Sequence, residues 1–468
     1  MSTVAEQLGR FVERASFEDL SQPAREALKI RVLDSLGCAI GALGAQPVRA
    51  IRGHLEDFGG SGPSTLIGGG TASPDLAALH NGALVRYLDF NDSYLAPGES
   101  CHPSDNLGAV LAAAELRGTT GRDLMTALAV SYQVQCRLSD AAPVRARGFD
   151  HTVQGAYGAA AGVAKALGLD AQRAAHAVAI AGASLNALRV TRTGRLSNWK
   201  GLAAPFAAAG ATQAAFLAMR GVTGPLEIFE GKKGFFETIA GPAHVDWDDE
   251  NLERVRGTAL KRFNAEVHAQ SAVEGLLELR ARHGLRPEDV ASLELDTFAV
   301  AFHIIGGGDE GDKTRVTSKE EADHSLPYML AAAMLDGRLT PEQYLPERIV
   351  RDDVQGLLRR VRVTMHDAYS ARFPAEVPCR VTVVRRDGSA VSVEKRDYLG
   401  YPTRPMPWGE VFEKFRLTAG DRAEDGLLAG IAGVVEGLED APLSRLAGLL
   451  ARVGAVPGWR GDEKRSPS

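Results

Sequence analysis

Cysteine is sparse and poorly spaced for metal binding. Cys38, Cys101, Cys136 and Cys379 are the four cysteines of the chain, and no two stand at C-x-x-C spacing. That argues against a zinc or iron–sulfur site. A disulfide scaffold is not expected in a chain of 468 residues. The opening stretch MSTVAEQLGRFVERAS has no basic segment followed by an apolar one. It does not read as a secretory signal, so a cytoplasmic location is the default expectation. A net charge of −6 without a basic stripe makes nucleic acid an unexpected partner. No polybasic or amphipathic run suggests a membrane surface. Residues 67–70, IGGG, lack a following Lys-Ser/Thr and are not a P-loop. An anionic substrate therefore needs local positive charge, because the global field does not supply it.

Only one long stretch lacks charge, GLAAPFAAAGATQAAFLAM at residues 201–219. It nearly reaches the ~20 residues of a membrane span. Its composition is mostly Ala and Gly, with Pro205, Thr212 and Gln213 inside. A buried, closely packed helix is the better reading.

What is present is ample apolar sequence, 45% of the chain. This supports a large core and two domains. Helical periodicity dominates from Met1 to about Met219. Thr3 and Glu6 form a capping-box pattern, with Val4, Leu8, Phe11 and Val12 on one face. Ser73-Pro74 opens another helix. QGAYGAAAGVAKALGL and AAHAVAIAGASLNAL read as small-residue helices able to approach closely. After about Asn264 the texture changes. ASLELDT and RVRVTM alternate, and RVTVVRRDGSAVSVEKR gives two alternating runs around Asp387-Gly388, a hairpin signal. Helical pattern returns after Tyr401. The expected fold is mainly α: an all-helical domain (residues 1–263), an inserted α+β lid domain (264–400) closing over a cleft, and C-terminal helices (401–468) rejoining the first. The tail GWRGDEKRSPS reads as disordered.

Five stretches carry groups suited to proton chemistry or anion binding. In LDFNDSYLAPGESCHPSDNL, Asp89 and Ser93 follow one helix, and His102 precedes another that Ser104 is expected to cap. A carboxylate, a hydroxyl and an imidazole then meet near a helix start that favours an anion. The competing reading is a capped loop with solvated acids. His151 in RGFDHTVQGAYG stands before another helix, where local capping is the competing role. Arg195 and Lys200 flank SNW before the uncharged helix and suit a carboxylate clamp; surface cations are the alternative. Lys261, Arg262, Glu266, His268 and Gln270 sit at the change of texture, a favoured place for ligands, or form a solvated hinge. Asp323 and His324 precede Pro327 and read as a capping network. IIGGGDEGDK reads as a flexible lid edge. His54, His80, His176, His244 and His283 read as structural or exposed.

Taken in order, VLDSLGCAIGA, YLDFNDSYL…HPSDNLG, SNWKG, GPLEIFEGKKGFF, KRFNAEVHAQSAVEGLLEL and EEADHSLPYMLAAAMLDGRLTPEQY resemble the MmgE/PrpD family. Its members include 2-methylcitrate dehydratase, cis-aconitate decarboxylase and iminodisuccinate epimerase. The resemblance spans most of the chain and implies a helical domain with a smaller α+β lid, assembled as a homodimer. It implies a pocket containing Asp89, Ser93, His102, His151, Lys200 and Lys261, with Arg195, Arg262 and His268 as further binding candidates. Ser93 stands where many relatives carry Thr, and Asn264 where others carry Pro. The implied activity is dehydration of a 2-methylcitrate- or citrate-type tricarboxylate without cofactor or metal. Lys200, Lys261 and Arg195 suit charge neutralisation, His102 or His151 proton exchange, and Asp89 either a base or an orienter of His102. Decarboxylation, epimerisation and plain polycarboxylate binding stand as alternatives. On this reading Glu99, Asp105 and Asn106 keep solvent and capping roles.

Overall fold

The computed structural model describes residues 2–454. The tail at residues 458–468 lies outside the described residues. The fold is mainly α. The chain divides into two compact units. One comprises Met1–Arg189, Gly201–Thr258 and Pro407–Ser468, the other Val190–Lys200 and Ala259–Met406.

The first unit is helical. Its first helix, Val4–Arg14, starts at a reciprocal Thr3–Glu6 capping box and buries Ala5, Leu8, Phe11 and Val12. Pro74–Tyr87 follows Ser73, whose hydroxyl contacts the Asp75 carboxylate at 2.5 Å rather than capping a backbone N–H. The Gly121–Ala141 and Thr152–Ala166 helices pack closely because small residues face one another. A Cβ added at Gly158 would lie 2.9 Å from the Ser131 carbonyl oxygen, and one at Gly162 3.1 Å from that of Ala127. Neither helix can therefore shift outward-growing side chains into this contact without separating. The connection after Tyr87 carries a short hairpin, β1 (Tyr94–Ala96) against β2 (Glu99–Cys101), antiparallel.

The uncharged run forms the Trp199–Met219 helix, long and apolar enough to cross a membrane by length and composition. Its alanine face, with Ala203, Ala207, Ala211 and Ala215, is buried, while Phe206 and Leu217 are exposed. The buried-helix expectation therefore holds for one face only.

The second unit is α+β. Its sheet has the order β4-β3-β5-β6, from β3 (Val290–Thr297), β4 (Val361–Met365), β5 (Cys379–Arg385) and β6 (Ala390–Lys395). β3 runs parallel to β4 and antiparallel to β5, and β5–β6 is the hairpin around Asp387-Gly388. Alternation puts Leu293, Leu295, Val381 and Val383 into a core with Val273, Leu276 and Leu279 of the Gln270–His283 helix. Leu326–Asp336 adds Tyr328, Met329 and Leu330 to the same core.

Candidate active-site residues

The acid-rich loop of the helical unit is buried, not solvated. Asp89, Asp92, Ser93, Glu99, Ser104, Asp105 and Asn106 all lie inside. This overturns the solvent roles expected for Glu99, Asp105 and Asn106. Burying so many polar groups is tolerable only where each finds partners. Asp89 adopts φ +53°, a left-handed conformation that costs a non-glycine residue about 1–3 kcal/mol and concentrates at functional sites. The buried Arg86 guanidinium holds it there, with Nη1 2.6 Å from Asp89 Oδ1 and Nε 3.6 Å from Asp105 Oδ2.

Asp92 organises the loop behind these groups. Its Oδ1 accepts from the Ser104 N–H (3.2 Å) and hydroxyl (2.6 Å), and its Oδ2 from the Tyr132 hydroxyl (2.8 Å). Burial raises the Asp92 pKa, opposed by these hydrogen bonds. Ser104 is thus committed to Asp92 and does not cap the Leu107–Arg117 helix, contrary to the sequence expectation. The chain instead makes a 3-10 turn over Pro103–Asn106 before that helix.

His102 follows β2. Its Nδ1 lies 2.7 Å from the Asp92 carbonyl oxygen and 3.1 Å from Ser93 Oγ. A carbonyl only accepts, so Nδ1 carries a proton, and Nε2 is the basic nitrogen of the neutral ring. His151 precedes the Thr152–Ala166 helix, and its ring meets that of His102 edge to face, with centroids 5.2 Å apart. The buried Asp150 carboxylate is 3.4 Å from His151 Nδ1 and accepts from the Thr152 N–H at 3.1 Å. The structure therefore brings Ser93, His102 and His151 together within the helical unit, with Asp89 on the same buried loop.

The α+β unit gathers the cations. Lys200 is buried, with Nζ 2.5 Å from Asp323 Oδ1. The same carboxylate takes Lys319 Nζ at 2.7 Å and His324 Nδ1 at 2.8 Å. Burial pushes Asp323 toward its neutral form, but Lys200, Lys319 and His324 together hold it well below the usual carboxylate range. Asp323 is thus the counter-ion of Lys200 rather than a helix cap. Capping falls to Ser325, whose hydroxyl accepts from the Tyr328 N–H at 3.0 Å. Arg195 is exposed.

Lys261 is fully buried in the same unit. His268 donates through Nδ1 to Glu266 at 2.8 Å and lies beside the stacked rings of Phe298 and Phe373. Burial opposes ionisation of Glu266, yet His268, His324 and Lys261 bring its pKa to about 2. Arg262 turns to Glu274 at 3.4 Å. Asn264 uses the N–H that proline lacks, donating to the Leu339 carbonyl at 3.0 Å.

Sequence reasoning missed Arg86, Asp92, Tyr132, Lys319 and Lys313. Burial lowers the Lys313 pKa, opposed by Glu310, Asp323 and Glu266. Arg86–Asp89 and Lys319–Asp323 stand at i,i+3 and i,i+4, a helical spacing legible in the sequence. Asp92 leaves no such signal, because Ser104 and Tyr132 lie 12 and 40 positions away; there the available signal was density, polar groups too many for a surface turn.

Comparison with known proteins divides the chain near the same point, although the second match runs past Met406 into helices of the first unit. Residues 6–248 match the MmgE/PrpD N-terminal domain and residues 263–429 the MmgE/PrpD C-terminal domain. A 2-methylcitrate dehydratase from Cupriavidus necator is 27% identical over 87% of this chain and 88% of its own length. The mitochondrial 2-methylcitrate dehydratase of Yarrowia lipolytica is 27% identical over 81% of this chain and 76% of its own. The cis-aconitate decarboxylase of Mus musculus is 25% identical over 94% and 91%. With both domain models matched in order over most of its length, this chain belongs to the MmgE/PrpD family.

Proposed function

We propose that the chain is a cofactor-free hydro-lyase acting on a tricarboxylate of the 2-methylcitrate or citrate type. The His102–His151 pair carries this reading. Elimination of water from a hydroxy acid needs a base for the C–H proton beside a carboxylate and an acid for the departing hydroxyl. The C–H electron pair becomes the new double bond, and the hydroxyl leaves as water. Two adjoining imidazoles suit both proton transfers at neutral pH. The basic Nε2 of His102 is suited to take the C–H proton, and His151, beside Asp150, to act as the acid.

The carbon acid is very weak, so charge developing on its carboxylate needs fixed cations. Lys200 and Lys261 are suited to this role, and Lys319, which meets Asp323 beside Lys200, adds a further cation. The cysteine spacing supports chemistry without an iron–sulfur cluster. Relatives named 2-methylcitrate dehydratase support the substrate class. The full-length decarboxylase relative favours a second reading, loss of carbon dioxide from cis-aconitate by the same carbanion-stabilising groups.

The test is turnover of purified protein with 2-methylcitrate and with citrate, followed by the ultraviolet absorbance of the unsaturated product. Dehydration that survives a chelator supports the proposal, and activity abolished by the chelator removes its cofactor-free part. Carbon dioxide released from cis-aconitate, without dehydration, replaces it with the second reading.

A further inference from the structure

Glu99 has no part in the chemistry proposed above, yet its surroundings are unusual for a hairpin residue. It is 3% exposed. One carboxylate oxygen, Oε2, accepts from the backbone N–H groups of Val144 (3.2 Å) and Arg145 (3.0 Å). The other, Oε1, accepts from the Ser100 N–H at 3.2 Å. These contacts join two separate stretches of chain. Glu99 opens β2, which ends at Cys101 and delivers His102. Val144 and Arg145 begin the turn that leads through Asp150 to His151.

Packing reinforces the junction. A Cβ added to Gly98, at the hairpin tip, would stand 3.2 Å from Pro143 Cβ. The far side of the same turn is tied independently: Asp150 N–H donates to the Ala187 carbonyl at 2.9 Å, and Phe149 bridges to Leu188. The turn is thus anchored at two places, and the Glu99 anchor ties it to the segment carrying His102.

We infer that Glu99 is a positioning residue, whose carboxylate clamps the segment ahead of His102 to the segment ahead of His151 and so sets the spacing of the two rings. The inference rests on the reading of that pair as the proton-moving groups. An ionised carboxylate suits the task because it accepts from three N–H groups at once and has no proton to donate toward them. Glutamine keeps the length but turns an N–H₂ toward backbone donors. Alanine leaves all three donors without this partner inside the protein.

The clamp also sits in a charged setting. Arg189 and Asp150 face the Glu99 carboxylate. Burial pushes its pKa up to about 7, with Asp150 adding to the rise and Arg189 and the backbone N–H groups opposing it. Protonation on the acid side of neutrality therefore weakens the clamp and removes a negative charge near Asp150 and His151.

The experiment compares wild type, Glu99→Gln and Glu99→Ala in the full chain, each checked by thermal melting. Histidine-labelled protein is titrated by NMR without substrate, and kcat and KM are measured across pH. In Glu99→Gln the His151 midpoint falls, because a nearby negative charge that favours the imidazolium is gone. The kcat drops about 10-fold with KM changed less than about 2-fold, as expected when only transition-state alignment suffers. Glu99→Asp, which restores charge at shorter reach, recovers part of the midpoint shift. If Glu99→Ala does not fold, Glu99→Gln alone decides. Unchanged His102 and His151 titrations in Glu99→Gln overturn the clamp, even if the wild type dehydrates tricarboxylates. Shifted titrations in a protein that turns over no acid uphold the clamp and reject the proposed reaction instead.

Discussion

His102 and His151 meet at 5.2 Å between ring centroids, inclined by 73°. Nδ1 of His102 is occupied by the Asp92 carbonyl, so the proton chemistry of that ring falls to Nε2. Replacing either histidine by alanine should lower kcat by about 10²–10⁴-fold, the usual range for a general acid or base. Both rings are buried, so each variant is also checked by thermal melting to separate a loss of chemistry from a loss of fold. Steady-state assays with 2-methylcitrate check this; full turnover in both variants would remove the pair from the mechanism.

Lys200 and Asp323 form a buried pair at 2.5 Å. Removing one partner of such a pair leaves an uncompensated charge, costing about 3–5 kcal/mol. Lys319 and His324 stay beside Asp323 and soften that loss. We therefore expect Lys200→Ala to cost about 2 kcal/mol in stability, and also to raise KM for a polycarboxylate. In the double variant Asp323→Asn should cost less than it costs alone, because only Lys319 and His324 then lose their carboxylate, and it should recover none of the affinity. Denaturant titration of both single variants and the double variant measures the coupling. Strictly additive losses would show that the pair is not an energetic unit.

Ser93 places its hydroxyl 3.1 Å from His102 Nδ1. Threonine keeps that hydroxyl, and alanine removes it. Ser93→Thr should therefore stay within about 3-fold of wild-type kcat/KM, while Ser93→Ala, losing about 1 kcal/mol of hydrogen bonding, should fall by roughly 5- to 10-fold. Equal losses in the two variants would point to crowding at this fully buried position instead.

Periodic features were legible in the sequence. The Val4–Arg14 helix with its capping box, the alternating strands and the hairpin at Asp387-Gly388 all depend on neighbours within a few residues. The density of polar groups around His102 was legible too, but not its burial. Solvation of Glu99 and Asp105 was the natural reading, because the groups that compensate them are the Val144 and Arg145 backbone for one, and Asn91 and Arg86 for the other. The Lys200–Asp323 pair was invisible for the same reason. Its members are 123 positions apart, and local sequence around Asp323 fits a helix cap equally well. Tertiary electrostatics leaves no periodic trace.

Glu266 predicts how stability depends on acidity. Its folded pKa is about 2, below the ordinary value of 4.5, because His268, His324 and Lys261 outweigh burial. A depressed carboxylate stabilises the fold above its unfolded pKa and loses that contribution as pH falls through the folded value. The window is therefore pH 4.5 down to about 2, and the effect is on the order of 3 kcal/mol at full extent. Glu99 behaves in the opposite sense. Its pKa is raised to about 7, so ionising it costs stability as pH rises from 4.5 through 7, burial outweighing the hydrogen bonds that the carboxylate accepts. Unfolding free energies measured from pH 8 to pH 3 should therefore fall more steeply below pH 4.5 in wild type than in Glu266→Gln, and Glu99→Gln should lose less stability than wild type between pH 5 and pH 8. Parallel profiles for wild type and Glu266→Gln would mean that the Glu266–His268 contact does not carry this charge coupling.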